Sequence, residues 1–247
     1  MRIIADLHVH TVASGHAYST VDEVAREARN KSVEFIAITD HGPALPGGAH
    51  LYHFSNLRIL PRELYGVVIL RSAEANIISE EGELDIPDEF LKDLDIVHVA
   101  FHPRCGYEGK NVEQNTKALL KALRNPYVDV FAHPGNPRYP FDVEKVITTA
   151  RDFDVVFEIN NSSFLDTTAR AGSYDNDLTI ATQVYKEGLN VVISSDAHFS
   201  QGVGDFSRAL ELAEKAGFTE ERIINSSTER LLDFLKRRSQ PQCSSGL

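Results

Sequence analysis

Short apolar runs of strand length recur along the chain, and almost every one is followed by a segment with helical periodicity. The predicted strands cover residues 2–7, 35–39, 67–73, 96–101, 128–132, 155–159 and 191–195. The predicted helices cover residues 21–31, 112–123, 143–153, 177–186, 206–216 and 228–237. In the first helix Val21, Val24, Ala25 and Ala28 recur at three-and-four spacing, which is typical of a stripe that packs against a sheet.

The alternation of strands and helices predicts a parallel α/β sheet that is covered on both faces. Seven strand–helix units in about 240 residues fit a closed or nearly closed barrel better than an open sheet. We expect residues 1–238 to form one domain, because their composition does not shift, and residues 239–247 to form a flexible tail. Prolines and glycines at 43–48 mark a long loop after the second strand, which we expect to reach over one end of the barrel.

The charge balance narrows the classes of function. The chain has 247 residues, of which 36 are acidic and 25 are Lys or Arg, so its formal net charge is −11. This charge argues against a protein that coats nucleic acid or binds a membrane surface, because both roles need a basic field. A phosphorylated substrate is still compatible with it, because bound metal cations reverse the sign of the charge locally.

Cysteine content and hydropathy predict a cytoplasmic protein with no membrane partner. Cys105 and Cys243 are too few for a disulfide framework, which fits a reducing compartment. No apolar run approaches the roughly 18 residues that a membrane span needs. Polar residues such as Asp6 and His8 stand where a signal peptide has its apolar stretch.

Histidines gather where the predicted strands end. These positions are His8, His10, His41, His102, His133 and His198. Glu74 ends the third predicted strand, and Asp196 precedes His198 by two residues. Because the carboxyl ends of barrel strands meet on one face, we expect these side chains to be neighbours in space.

Imidazole nitrogens and carboxylate oxygens are the ligands of Zn²⁺, Fe²⁺ and Mn²⁺. The two-residue spacing of His8 and His10 points both rings to one side of a strand. Glu74 is the natural bridge between two cations, because its strand supplies an acid at that level without a companion histidine. Any one of these histidines could equally be a satisfied core or loop residue, but the set favours a metal site.

The same residues lie in motifs that resemble those of the PHP (polymerase and histidinol phosphatase) superfamily. The motifs are DLHVHT from Asp6, TDHG from Thr39, EAN from Glu74, HPGNP from His133 and SDAH from Ser195. ASGHAYS from Ala13 and EINNSSF from Glu158 resemble the YcdX-type phosphatase branch of this superfamily. The resemblance covers nearly everything except the last residues.

The resemblance implies a distorted seven-stranded, TIM-like (βα) barrel with three divalent metal ions at the strand ends. The first ion would be held by His8, His10, Glu74 and Asp196; the second by Glu74, His102 and His133; the third by His16, His41 and His198. Zinc is the expected metal, with manganese and iron as alternatives. His98 is expected to be structural, whereas His50 and His53 could either line the site or be solvated.

This site suggests a hydrolase that cleaves phosphate monoesters. A metal-bound hydroxide would be held by His8, His10, Glu74, His102, His133 and Asp196. Four arginines are candidates for contacts with the substrate phosphate, although each could be an ordinary surface residue: Arg58, Arg62, Arg104 and Arg138. Asp40 is expected to orient an imidazole from outside the ligand set, and Asp6 could do the same.

Other functions compatible with these residues are a histidinol-phosphate phosphatase, a phosphodiesterase or exonuclease acting on nucleic-acid ends, and a non-catalytic metal-storage or sensor domain. The chain lacks a basic track, so we expect a small phosphorylated substrate rather than a nucleic-acid partner. The sequence is compatible with homo-oligomerisation, and we expect loop side chains rather than the metal ligands to select the substrate.

Overall fold

The computed structural model describes residues 1–167 and 169–237. The predicted tail at 239–247, and residue 238 with which the predicted domain ends, lie outside the described residues. In the part of the chain that the structure covers, no helix is both long and apolar enough to cross a membrane.

Seven parallel strands form a nearly closed barrel, which confirms the predicted fold. The strands are β1 (Ala5–Val9), β2 (Phe35–Ile38), β4 (Val67–Asn76), β5 (Ile96–Ala100), β6 (Val130–Phe131), β7 (Val156–Asn160) and β8 (Val191–Ser194), paired in that order. The helices are α1 (Val21–Asn30), α2 (Leu51–Asn56), α3 (Asp88–Leu91), α4 (Val112–Ala122), α5 (Val143–Asp152), α6 (Ser173–Lys186), α7 (Ser207–Ala216) and α8 (Thr228–Lys236). A capping box of Thr20 and Glu23 begins α1.

Some elements were not predicted from the sequence. A two-residue strand, β3 (Glu63–Leu64), pairs antiparallel with β4 through a turn in which both Tyr65 and Gly66 have positive φ. Helix α2 lies inside the predicted long loop, and α6 begins at Ser173 rather than at residue 177.

The inner face of the barrel is apolar near the amino ends of the strands and polar near their carboxyl ends. The apolar layer contains Phe35, Ala37, Leu70, Ile96, Val130, Val156 and Val192. Two or four residues further along, on the same face, come Glu74, His98 and Glu158, because side chains alternate between the faces of a strand. The larger hydrophobic core includes the buried faces of the helices, such as Val24 and Ala28 of α1.

Two features distinguish β1 from the other strands of the barrel. The register between β1 and β2 shifts between Asp6 and Val9, and such a bulge turns side chains to a new direction. The gap between β8 and β1 is spanned at its amino end by Asn225, whose Nδ2 donates to the carbonyls of Ala5 (2.7 Å) and Ile193 (2.6 Å). The barrel is therefore tied together where the sheet has no continuous ladder.

The loop after β6, which carries His133, is packed against α6. A Cβ added at Gly135 would come within 2.3 Å of the Asp177 carboxyl group, so only glycine fits there. Burial raises the pKa of Asp177 to about 8, although a backbone hydrogen bond from Gly135 and the charge of Arg170 oppose the shift. At neutral pH this side chain is a neutral acid.

The raised pKa predicts a pH-dependent loss of stability. From about pH 4 to pH 8 the folded chain keeps a proton on Asp177 that the unfolded chain releases, so the free energy of unfolding falls as pH rises. We expect Asp177→Asn, an uncharged isostere, to be increasingly more stable than the wild type across this range. Urea unfolding of the metal-free proteins at several pH values measures the difference, with Asp175→Asn, an exposed position on the same helix, as the control. Parallel pH profiles for Asp177→Asn and the wild type would contradict the assignment.

Candidate metal centre

The structure brings all nine residues predicted as ligands to the carboxyl ends of the strands. His8 and Glu74 lie on β1 and β4, and the other seven follow strand ends: His10, His16, His41, His102, His133, Asp196 and His198. Their donor atoms form overlapping groups, each within 4.8 Å: His10, His41 and His198; His8, His10 and Glu74; His41, Glu74 and His102. Residues up to 190 positions apart in sequence thus share one rim of the barrel.

The Glu74 carboxylate lies at the centre of this rim. Its Oε1 is 2.8 Å from His133 Nε2 and 3.4 Å from His102 Nε2. Its Oε2 is 2.8 Å from His41 Nδ1, and it lies 3.3 Å from His8 Nε2 and 3.5 Å from His10 Nε2. One carboxylate therefore contacts five imidazoles from four different strand ends.

Asp196 forms the second centre and extends the cluster outward. Its Oδ1 is 3.1 Å from His10 Nε2 and 3.5 Å from His198 Nδ1. His198 Nε2 in turn faces His16 Nε2 at 3.0 Å. His8 and His10 are fully buried, whereas the His198 side chain is 30% exposed, so the cluster opens to solvent on the side of His16 and His198.

Non-glycine residues with positive φ occur at two of these positions. His133 has φ 33° and Asp196 has φ 55°, a backbone region that side chains rarely adopt. Such strain persists only where surrounding contacts enforce it, and it concentrates at functional sites.

The donor set fits divalent metal ions. His41 Nδ1 and Glu74 Oε2 are buried and 2.8 Å apart, but the angles between them are not those of a well-formed hydrogen bond. Two donor atoms this close, with poor hydrogen-bond angles, have the relation expected of co-ligands around an ion. The 3.0 Å separations between Nε2 atoms in the pairs His8–His10 and His16–His198 are also close to the roughly 3.3 Å between neighbouring ligands of a tetrahedral zinc ion.

The protonation of the rings agrees with this interpretation. Burial lowers the pKa of His10 to about 4 and lowers the pKa values of His16, His41 and His133 as well. Neutral imidazole is the form that binds metal. His8 differs, because Glu158, Glu74 and Asp196 outweigh burial and raise its pKa.

Hydrogen bonds from outside the ligand set fix the orientation of three rings. His8 Nδ1 donates to Glu158 Oε1 at 2.8 Å. His10 Nδ1 lies 3.1 Å from Ser14 Oγ, which donates its own proton to Asp40 at 2.6 Å. Asp40 thus has the orienting position expected of it, acting through Ser14.

The third ring follows the same pattern. His102 Nδ1 lies 2.7 Å from Asn76 Oδ1, and the Asn76 amide donates to Asp85 at 2.5 Å. In all three cases the Nδ1–H is engaged, which leaves the Nε2 lone pair of His8, His10 and His102 facing the cluster. Asp6 has a different place: it accepts from the backbone N–H groups of Ser195 and Gly204.

The predicted arginines are placed differently from the ligands. Arg62 pairs with Asp95, which immediately precedes β5 and so lies at the amino end of the barrel, because the β3–β4 hairpin returns the chain there. Arg58 is exposed on the outer side of β4, where its carbonyl accepts from Arg71. Arg104 and Arg138 are exposed in loops after β5 and β6, where both contact Glu108.

Arg170, which sequence reasoning missed, contacts the cluster directly. Its Nη2 donates to Asp196 Oδ2 at 2.6 Å, and Ser163 accepts from its Nε at 3.0 Å. Asp196 raises the pKa of Arg170 against the effect of burial. Arg170 lies just before α6 with no motif around it, so no sequence signal pointed to it.

The remaining histidines and Cys105 lie outside the nine. His98 is fully buried against the His8 ring, with a centroid distance of 5.0 Å, and burial lowers its pKa to about 3. His53 Nε2 lies 3.1 Å from Asp40, whereas His50 caps α2. Burial raises the pKa of the Cys105 thiol to about 12, so it does not offer a thiolate.

Comparison with known proteins agrees with the geometry. Residues 6–238 match the model of the PHP domain family. A protein named probable phosphatase from Thermoanaerobacter sp. (strain X514) is 45% identical over 240 residues, which cover 97% of each chain.

Two solved structures show the same fold. One is the histidinol phosphate phosphatase of Lactococcus lactis in complex with zinc, L-histidinol and phosphate, with a TM-score of 0.58, 16% identity, and coverage of 87% of this chain and 94% of that one. The other is a chain in archaeal ribonuclease P with mature tRNA, with a TM-score of 0.59, 13% identity, and coverage of 98% and 96%. At these identities the likeness shows the fold alone. The match of the family model, together with the relative that is 45% identical, shows that the chain belongs to the PHP domain family.

Proposed function

We propose that this protein is a metal-dependent phosphatase that hydrolyses phosphate monoesters. The observation that carries the proposal is the Glu74 carboxylate in contact with five imidazoles, at a rim that opens to solvent beside His198. Relatives of near-equal length are named probable phosphatases, which supports this chemistry.

Three divalent ions, with zinc favoured by the nitrogen-rich donors, would be held by the nine residues. The first would be bound by His8, His10, Glu74 and Asp196; the second by Glu74, His102 and His133; the third by His16, His41 and His198. When bound, such ions supply an activated water and neutralise phosphoryl oxygens. Glu74 and Asp196, with the outer carboxylates of Glu158, Asp40 and Asp85, provide anionic charge that compensates these cations.

The protein's own groups would orient the substrate. Arg170 holds Asp196 in place through a charge-assisted hydrogen bond and adds a fixed positive charge beside the cluster. Arg104 and Arg138, in loops at the carboxyl end of the barrel, are proposed as outer contacts for an anionic substrate. Arg58 lies on the outer side of β4 and Arg62 at the amino end of the barrel, so neither is proposed to contact the substrate.

A substrate panel tests the proposal. We expect the zinc- or manganese-loaded chain to turn over p-nitrophenyl phosphate faster than bis-p-nitrophenyl phosphate or single-stranded DNA, and to lose turnover on chelation. Faster cleavage of either diester would favour a phosphodiesterase. Histidinol phosphate in the same panel tests the histidinol-phosphate alternative. A chain that binds metal reversibly and hydrolyses nothing would be a storage or sensor protein.

The proposed bridging role of Glu74 makes a prediction about metal content. Glu74→Gln removes the negative charge shared by two ions, so we expect both to be lost together. Elemental analysis of the purified variant against the wild type measures the loss. Glu80→Gln, at a surface acid paired with Lys117, is the matched control and should keep the wild-type metal content. Loss of a single ion would contradict a bridge.

The assignment of Arg170 makes a separate prediction. Lysine cannot reproduce the separate guanidinium bonds to Asp196 and Ser163. We therefore expect Arg170→Lys to lower kcat/KM for p-nitrophenyl phosphate by about tenfold or more. Arg62→Lys, at the far end of the barrel, should leave kcat/KM within about twofold of the wild type. Equal values for both variants would remove Arg170 from the site.

A further inference from the structure

Glu158 on β7 joins two parts of the candidate metal centre that come from different strands. Its side chain is completely buried. Oε1 accepts from His8 Nδ1 at 2.8 Å, and Oε2 accepts from the backbone N–H of His133 at 2.8 Å. Asn160 Nδ2 donates to the same Oε2 at 3.0 Å. One carboxylate therefore satisfies three donors, two of which belong to residues proposed to bind different ions.

Glu158 differs from the other two carboxylates that orient rings of the cluster. Asp40 acts on His10 through the Ser14 hydroxyl, and Asp85 acts on His102 through the Asn76 amide. Both intermediates are neutral. Glu158 reaches its imidazole directly, and a hydrogen bond to an ionised acceptor is about twice as strong as one between neutral groups.

The bond to His133 acts on the backbone instead of on the ring. His133 has φ 33°, a conformation that costs free energy for a residue with a side chain. A buried N–H group held by a carboxylate compensates part of that cost, because the same N–H without a partner would be penalised. Glu158 thereby holds His133 in the backbone conformation that places its Nε2 2.8 Å from Glu74.

We propose that Glu158 is a positioning residue that couples the sites of the first and second metal ions. One carboxylate fixes both the Nδ1–H tautomer of His8 and the strained backbone of His133. The proposal rests on the metal-binding part of the proposed function and is independent of which ester is hydrolysed. Glu158 contributes no atom to the Glu74-centred groups; its carboxylate lies instead with His8 and His98 in a separate group of donors within 4.8 Å of one another.

The isosteric change Glu158→Gln tests the coupling. Glutamine replaces one acceptor oxygen by an NH₂ group, which must then face either His8 Nδ1 or the His133 N–H. We expect zinc affinity to fall by about 10–100-fold, the usual effect of losing a partner that orients ligands. Competition with a chromogenic chelator measures the affinity, and elemental analysis after dialysis should show two ions lost per chain.

Two variants make the comparison specific. Asp129→Asn changes a carboxylate that accepts from the Val97 N–H at the amino end of the barrel, and it should leave zinc affinity unchanged. Asp85→Asn should weaken only the ion that His102 binds, because its path runs through Asn76. Wild-type zinc affinity and stoichiometry in a folded Glu158→Gln protein would overturn the proposal.

A measurement on the wild type keeps the proposal testable if the variant does not fold. Nitrogen-15 NMR of histidine-labelled, zinc-loaded protein should show His8 protonated at Nδ1, with a proton signal shifted downfield by the bond to carboxylate. A His8 protonated at Nε2 would overturn the proposal. If zinc affinity falls as expected while the wild type hydrolyses no phosphoester, the proposed function fails and the positioning role of Glu158 stands.

Discussion

The structure depends on the cost of burying the Glu74 carboxylate. Its side chain is 1% exposed, and a charge removed from water in this way is very unfavourable unless opposing charge or hydrogen bonds surround it. The imidazoles that contact it hold its pKa well below the usual range although burial acts in the opposite direction. In the same way His8, Arg170 and His198 lower the pKa of Asp196 against the effect of burial. Cationic partners are thus a physical requirement of this rim, and divalent ions meet it better than protonated histidines, because burial lowers the pKa of most of these rings.

The barrel makes this arrangement possible by separating its apolar and polar layers. Val130, Val156 and Val192 fill the amino half of the interior, so the ionisable groups are confined to the carboxyl half. Most of the predicted ligands follow the strand ends, so their backbone is not held in the hydrogen-bond ladder of the sheet. Strand β6 is only two residues long, so the chain leaves the sheet almost immediately before the loop that carries His133.

Much of this could be predicted from the sequence, for reasons that are local. Buried parallel strands produce apolar runs in the sequence. A residue directly after such a run lies at the carboxyl end of the barrel, so the positions of His41, His102 and His133 could be predicted from the sequence. The β3–β4 hairpin was missed because its Tyr65–Gly66 turn lacks the usual Asn or Asp signal. Arg62 follows the predicted long loop in sequence, but the β3–β4 hairpin carries it to the opposite end of the barrel. Arg170 and the role of Glu158 depend on contacts between distant strands, which no local pattern encodes.

The contact between Glu158 and His8 also shows how the closure of the fold reaches the site. β7 and β1 are not neighbours in the sheet, since β8 lies between them, so their side chains meet only because the barrel curves and β8 is drawn against β1. At the amino end Asn225 makes that connection, and at the carboxyl end the N–H of Asp196 donates to the His8 carbonyl at 2.9 Å. A barrel opened at this seam would move His8 away from both Glu158 and Asp196 while leaving Glu74 and His102 on their adjacent strands. The seam between β8 and β1 is therefore the part of the scaffold on which the geometry of the inner cluster depends most directly.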